Sequence, residues 1–208
     1  MANGRGTLFV LAGPSGVGKG TVVAEVLSRV SDRLALSISA TTRPRREGEI
    51  NGSDYLFMDR DAFEHLIEAD EFLEWAEVFD NLYGTPRSFV ESHLTAGDDV
   101  LLEIDVQGAR QVRERAPDAV LVLLKPPALD ELARRLRSRG TESEERIERR
   151  LGEAELELAQ SSWFDHEVVN DDLEGASSQV AAIIEASRSS PPTDGAWGAH
   201  DPTEDPSA

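Results

Sequence analysis

The chain contains no cysteine. That excludes disulfides, thiolate metal sites and cysteine nucleophiles. No stretch approaches the roughly 18 consecutive apolar residues of a membrane-spanning helix. The start lacks a basic region followed by an apolar stretch and a cleavage site, so no signal peptide is expected. Positive charge is scarce: 21 Lys and Arg stand against 40 Asp and Glu, for a formal net charge of −19. Such a surface repels nucleic acid and anionic lipid at long range, so neither nucleic acid nor a membrane is expected as a partner. A cytoplasmic location is expected. The 208 residues suffice for one α/β domain with insertions.

The arginines that are present are concentrated. Arg43, Arg45 and Arg46 form one cluster; Arg134, Arg135, Arg137 and Arg139 form a second, with Arg149 and Arg150 beyond it. In an acidic protein, clustered guanidinium groups point to specific phosphate sites. Solvated helix faces paired with nearby glutamates explain part of the second cluster and suit the first poorly.

A glycine-rich segment fixes the ligand class. Gly13-Pro14-Ser15-Gly16-Val17-Gly18-Lys19-Gly20, with Thr21 next, follows the apolar run Thr7 to Ala12. It precedes Thr21 to Leu27, where apolar groups recur at helical spacing. Strand, glycine-rich turn, lysine and helix make the setting of a phosphate-binding P-loop. Glycines let successive N–H groups converge on one anion. The helix N-terminus adds partial positive charge and Lys19 a full one. The motif ordinarily ends in Ser or Thr, whose hydroxyl touches Mg²⁺. Gly20 stands there instead, which leaves Thr21, one place later, to reach the metal directly or through water.

Strands are expected at 34–39, 55–58, 100–105, 119–124 and 167–170, with helices between them. The continuous apolar run Ala119 to Leu124 suits burial on both faces, as in a parallel sheet. Phe72 to Phe79 reads as extended, Asn81 to Pro86 as a turn leading into a helix, and Asp59 or Asp61 as a helix cap. Alternating strands and helices imply a parallel sheet covered on both sides, with ligands at the carboxyl ends of its strands. The P-loop, Ser39, Asp105, Lys125 and Asn170 lie at such ends. From Ser189 the chain turns rich in Pro, Gly, Asp and Ser and is expected to be disordered, with Trp197 solvated. His65, His93 and His166 receive no role.

Reaction type must come from the roughly sixty residues between the second strand and Val100, a span long for one crossover. Here the chain resembles the guanylate kinase family. The resemblance is carried by Gly13 to Lys19, Ser39-Ala40-Thr41-Thr42-Arg43, Arg46-Glu47-Gly48-Glu49, Asn51-Gly52, Tyr55, Phe72 to Ala76, Tyr83-Gly84-Thr85, Ile104 to Gly108, Arg139 to Glu145 and Val169 to Asp172. These segments occur in family order and span nearly everything from Thr7 to Ala186.

The resemblance implies an α/β fold of the P-loop nucleoside monophosphate kinase type. A parallel five-stranded sheet flanked by helices would form the core (1–36, 97–133 and 155–188). A mixed α/β GMP-binding region would occupy 37–96, a helical lid 134–154 and an acidic tail 189–208. It also implies transfer of the ATP γ-phosphoryl to GMP, and to dGMP, with Mg²⁺ accompanying ATP. Monomer and homodimer both remain open.

The residues agree with that implication. Arg43 and Arg46 suit a phosphate, because guanidinium forks match its oxygens. Tyr55 and Tyr83 can each donate an O–H to the same group. Glu74 and Asp105 can accept from guanine N–H donors, and Ser39 and Thr85 can donate to its acceptors. By resemblance, Lys19, Arg43, Arg46, Arg135, Arg139 and Arg150 cover the transferring group, while Asn170 and Arg139 border adenine. The metal is expected near Thr21 and Asp105. Glu103 stands where the family usually has aspartate, and its extra methylene weakens the case for it. Gly140 and Gly152 are candidate flexible points. Two other readings are a phospho-ligand-binding module without catalysis, which the intact P-loop opposes, and a kinase for a sugar phosphate, which needs no guanine reader.

Overall fold

The computed structural model describes residues 4–30, 33–78, 80–138, 143–159 and 161–188. The expected tail with Trp197, the candidate Arg139 and the candidate hinge Gly140 lie outside the described residues. A strand apolar at every position must be covered on both faces, and β1 (Leu8–Ala12) is buried throughout. It pairs in parallel with β7 (Asp99–Ile104) on one side and β8 (Val120–Lys125) on the other. The edges are β2 (Leu34–Leu36), beside β7, and β9 (His166–Val169), beside β8, both parallel. The five-stranded order is therefore β2-β7-β1-β8-β9.

Alternation along β1 sorts the core into two layers. Phe9 and Leu11 pack with Val22, Val26, Val180 and Ile184 of α1 (Lys19–Arg29) and α7 (Leu173–Arg188). Leu8 and Val10 pack with Val90 and Leu94 of α3 (Arg87–Ala96) and with Ala109 and Val112 of α4 (Val106–Arg115). Period-two alternation in a strand covered on both faces produces this division. The expected helix after the P-loop begins earlier than its apolar spacing suggests, at Lys19.

The long crossover builds a sheet of its own, in the order β4-β3-β6-β5. β3 (Ala40–Thr41) pairs in parallel with β4 (Leu56–Phe57) and antiparallel with β6 (Asn81–Pro86). β5 (Phe72–Val78) forms an antiparallel hairpin with β6. Phe63 of α2 (Arg60–Glu68) stacks on Phe72 with ring centroids 4.4 Å apart. Asp59, the expected cap, accepts from the Ala62 amide.

Asn81 to Pro86, expected as a turn, is strand. The reversal comes just before it, at Asp80, with φ 65°. Gly84 leaves little room for a side chain, because a Cβ there would lie 3.0 Å from the Glu74 carbonyl and 3.0 Å from Phe72. A glycine that signals a turn in sequence is here a point of close packing within a sheet.

The remaining helices, α5 (Leu129–Ser138) and α6 (Glu144–Leu158), share a small core of Leu132, Leu136, Ile147 and Ala154. Ser143 caps α6 by accepting from the Arg146 amide.

Candidate functional site

The chain leaves β1 into a loop that only glycine permits at its first turn. Gly13 has φ 155°, and a Cβ there would meet the Leu124 carbonyl oxygen at 2.4 Å. Gly18 adopts the left-handed conformation at φ 101° and caps α1 without any side-chain hydrogen bond. No acidic residue occupies the first turn of α1. The leading amides of the helix are thus left for an anion.

Lys19, the first helical residue, turns back over the loop. Its ammonium donates to the carbonyl oxygens of Gly13 at 2.6 Å and Pro14 at 3.4 Å. Burial lowers its pKa, and the carboxylates of Glu103, Asp105 and Glu157 oppose that shift. A desolvated lysine beside converging amides is primed to gain a phosphate partner.

Three of the expected residues meet this loop directly. Arg135 donates to the carbonyl oxygens of Val17 at 3.2 Å and Asn170 at 3.0 Å. The Asn170 side chain donates to the same Val17 carbonyl at 2.8 Å. Arg150, buried on α6, donates to the Ser15 hydroxyl. The helical pair α5 and α6 is therefore tied to the P-loop by its arginines.

A cavity of about 320 Å³ opens from the loop toward the second sheet. Ser15, Lys19, Ser39, Tyr55, Glu74, Tyr83 and Asp105 are among the residues that line it. Glu74 is only 4% exposed. It is seated by Thr85, which is fully buried and whose hydroxyl donates to the Glu74 carboxylate at 2.6 Å. Gly108 makes space for it, since a Cβ there would lie 2.4 Å from Glu74 Oε2. Burial pushes the Glu74 carboxyl up to about 7, against the pull of the Thr85 hydrogen bond. Asp105 lines the cavity while also capping α4, accepting from the Gly108 amide at 2.7 Å. Capping α4 and lining the cavity are therefore compatible roles for Asp105.

Arg43 is held in a fork. Its guanidinium donates to both carboxylate oxygens of Glu49, at 2.7 and 3.0 Å. The Arg46 amide donates to the same carboxylate at 2.7 Å, while residue 46 itself is exposed. Arg43 lies 5.3 Å from the Tyr55 ring centroid, and the rings of Tyr55 and Tyr83 are 6.0 Å apart. Arg43, Tyr55 and Tyr83 are thus brought together. Thr21 is exposed at its position on α1.

Glu103, Gln107, Arg149, Glu153 and Glu157 also line the cavity. Sequence reasoning gave Glu103 little weight, placed Arg149 only within an arginine cluster, and offered no role for Gln107, Glu153 or Glu157. Arg149, Glu153 and Glu157 recur every four residues on one helix face, a periodicity legible in advance. Burial raises the Glu157 carboxyl to about 7.

Together, a parallel α/β sheet, a glycine loop with its lysine at the carboxyl end of the central strand, and a polar cavity beside it define a P-loop nucleotide-phosphate-binding protein. Comparison with known proteins narrows this. The guanylate kinase family model matches residues 5–187. A guanylate kinase of Syntrophomonas wolfei is 54% identical over 186 residues, covering 89% of this chain and 95% of that protein. One from Thermus thermophilus is 55% identical over 188 residues, covering 90% and 83%. The crystal structure of guanylate kinase from Anaplasma phagocytophilum superposes with a TM-score of 0.75 at 34% identity, covering 91% of this chain and 90% of that one. The chain belongs to the guanylate kinase family.

Proposed function

We propose that this chain transfers the γ-phosphoryl of ATP to GMP, and to dGMP, giving ADP and the diphosphate. The observation that carries this reading is one cavity lined both by Lys19 of the P-loop and by the buried Glu74 of the second sheet. A phosphate donor and a purine acceptor then face one another across it.

The P-loop from Gly13 to Gly20 holds the ATP phosphates, with Lys19 leaving its carbonyl partners for the β- and γ-oxygens. Arg135 and Arg150 reach the phosphates from the loop they already touch, and Asn170 and Arg139 border adenine. Arg43 and Arg46 clamp the GMP phosphate, Arg43 exchanging Glu49 for it, and Tyr55 and Tyr83 donate their hydroxyls. Glu74 and Asp105 accept from guanine N–H groups. Ser39 donates to a guanine acceptor, while Thr85 orients Glu74. Residues 37–96 and 134–154 close over the 1–36, 97–133 and 155–188 core, excluding water that would otherwise hydrolyse ATP.

Mg²⁺ accompanying ATP fits the residues present. Among the described residues, no group of three or more His, Cys, Asp or Glu stands ready to hold a metal alone. Magnesium instead keeps several waters and binds through one or two carboxylates and the nucleotide phosphates. Glu103 and Asp105, whose charges both act on Lys19, are the carboxylates that would hold it. When bound, the ion neutralises charge on the transferring group.

An ADP-release assay across GMP, dGMP, AMP, CMP and UMP tests this. GMP is expected to exceed AMP by roughly 10⁴ in kcat/KM, because adenine leaves the buried acceptors unpaired. Equal turnover of AMP or a sugar phosphate contradicts the reading, and no turnover at all supports a binding module.

Proton linkage gives a second test. Guanine N–H donors require Glu74 ionised, yet its folded pKa is about 7. GMP affinity is expected to rise as pH increases toward 7 and to level off above it. Below pH 7, binding releases a proton, readable by titration calorimetry in buffers of different ionisation enthalpy. Stability runs the other way. The folded state holds protons on Glu74 and Glu157 that the unfolded chain loses near the ordinary carboxyl value of 4.5. Their contribution therefore falls as pH climbs from 4.5 to about 7.

A further inference from the structure

We infer that Gln111 is a positioning residue for guanine recognition: its carboxamide binds both backbone groups of Trp75 and so fastens Glu74, one residue earlier, to the helix that Asp105 caps. The inference rests on the phosphotransfer reading and deepens it.

β5 stands at the edge of its sheet, paired with β6 on one side. An edge strand presents peptide groups outward, and these need partners where another element covers them. α4 supplies them. Gln111 Oε1 accepts from the Trp75 amide at 3.2 Å, and Gln111 Nε2 donates to the Trp75 carbonyl oxygen at 2.6 Å. A carboxamide carries acceptor and donor side by side, so it closes on one residue as a neighbouring strand would. Four residues further on, the Arg115 guanidinium donates to the carbonyl oxygens of Phe72 and Leu73. It also pairs with Asp70, just ahead of the strand, at 3.2 Å.

Gly108, Gln111 and Arg115 lie three and four residues apart, which places them on one face of α4. That face meets β5 from Phe72 to Trp75. Gly108 touches both carboxylates. Its amide donates to Asp105, and a Cβ on it would lie 2.4 Å from Glu74 Oε2. One helix therefore sets the spacing between Glu74 and Asp105. Two anchors hold Glu74. Thr85 of β6 fixes its carboxylate, and Gln111 of α4 fixes the backbone from which it projects. Gln111 is not among the residues that line the cavity, so it acts through Glu74 and not on the ligand.

The test compares GMP with IMP, which lacks the 2-amino group. Binding of each to the full chain is measured by calorimetry in the parent, Q111M, E74Q and E74Q/Q111M. Methionine keeps the length of the side chain and removes both hydrogen-bonding groups. Gln111→Met is expected to weaken GMP binding at least about tenfold, as when a recognition group shifts by about 1 Å. Its preference for GMP over IMP is expected to narrow at least about threefold. In turnover, kcat at saturating GMP and KM for ATP are expected to stay within about threefold of the parent. In the E74Q background the same substitution is expected to weaken GMP less than about threefold, because the group it positions is already altered.

Three results overturn the inference. Q111M binds GMP as the parent does. Or it weakens GMP by the same factor with and without E74Q, which marks Gln111 as a cover for the sheet edge alone. Or it raises KM for ATP as far as it weakens GMP, which marks a general loss of structure. Thermal melts confirm that each variant is folded, and Gln111→Asn, with both groups one methylene short, replaces Q111M if it is not. A parent chain that binds GMP without phosphorylating it fails the phosphotransfer reading and leaves this comparison readable, so the two failures are distinct.

Discussion

Lys19→Ala is expected to lower kcat for GMP phosphorylation by about 10³-fold, the scale seen when a preorganised charge is removed from a transition state. The protein itself should survive. Lys19 is a half-buried cation whose ionised form is disfavoured by desolvation, so its removal relieves that cost while removing the positive charge that acts on Glu103, Asp105 and Glu157. These effects oppose each other, and the melting midpoint is expected within about 5 °C of the parent. Circular dichroism melts and an ADP-release assay measure the two quantities on one preparation. A variant that stays folded and keeps more than about a tenth of its activity shows that the loop amides alone hold the triphosphate.

Glu74→Gln has the second largest expected effect, and it is selective. The substituted amide would present one acceptor and one donor where guanine needs acceptors. Hydrogen bonds to charged groups contribute about 1.5–3 kcal/mol, so kcat/KM for GMP is expected to fall by roughly tenfold to 10²-fold. KM for ATP should stay within about threefold, since the hydrogen bond that seats Glu74 comes from Thr85 and not from the P-loop. Stability should move the opposite way. Glu74 is 4% exposed and its carboxyl is pushed to about 7, so a neutral amide that still accepts from Thr85 is expected to raise the melting midpoint at about pH 8, where the parent carboxyl is ionised. Gain of stability with loss of GMP selectivity separates a guanine reader from a merely structural acid. Unchanged selectivity rules Glu74 out of base recognition.

The phosphate half of the site was legible because its signals are local. Gly13, Gly18 and Lys19 sit within one strand–loop–helix unit, and the hydrogen bonds of the loop run over short sequence distances. The parallel core was legible for the same reason: β1 and β8 are continuous apolar runs. The acceptor half depends on pairings between distant segments. Thr85 reads as a hydroxyl near a turn, but the β5–β6 register sets it opposite Glu74 and commits it there. Gly84 suggests a turn and instead relieves crowding between strands. Arg150 meets Ser15 across 135 positions of sequence, which spacing cannot foresee. Glu157, on the same helix, carries a signal that was available, the four-residue recurrence with Arg149 and Glu153. Glu103 and Gly20 are far apart in sequence, and only the fold makes them neighbours.

The central claim is that one cavity brings a triphosphate and a guanine monophosphate together in line. Incubation of the full-length chain with ATP labelled at its γ-phosphorus, GMP and Mg²⁺ tests it most directly. The expected result is label in the β-position of GDP, in equal amount to the ADP formed. Label appearing as inorganic phosphate, or ADP formed with no labelled GDP, contradicts it.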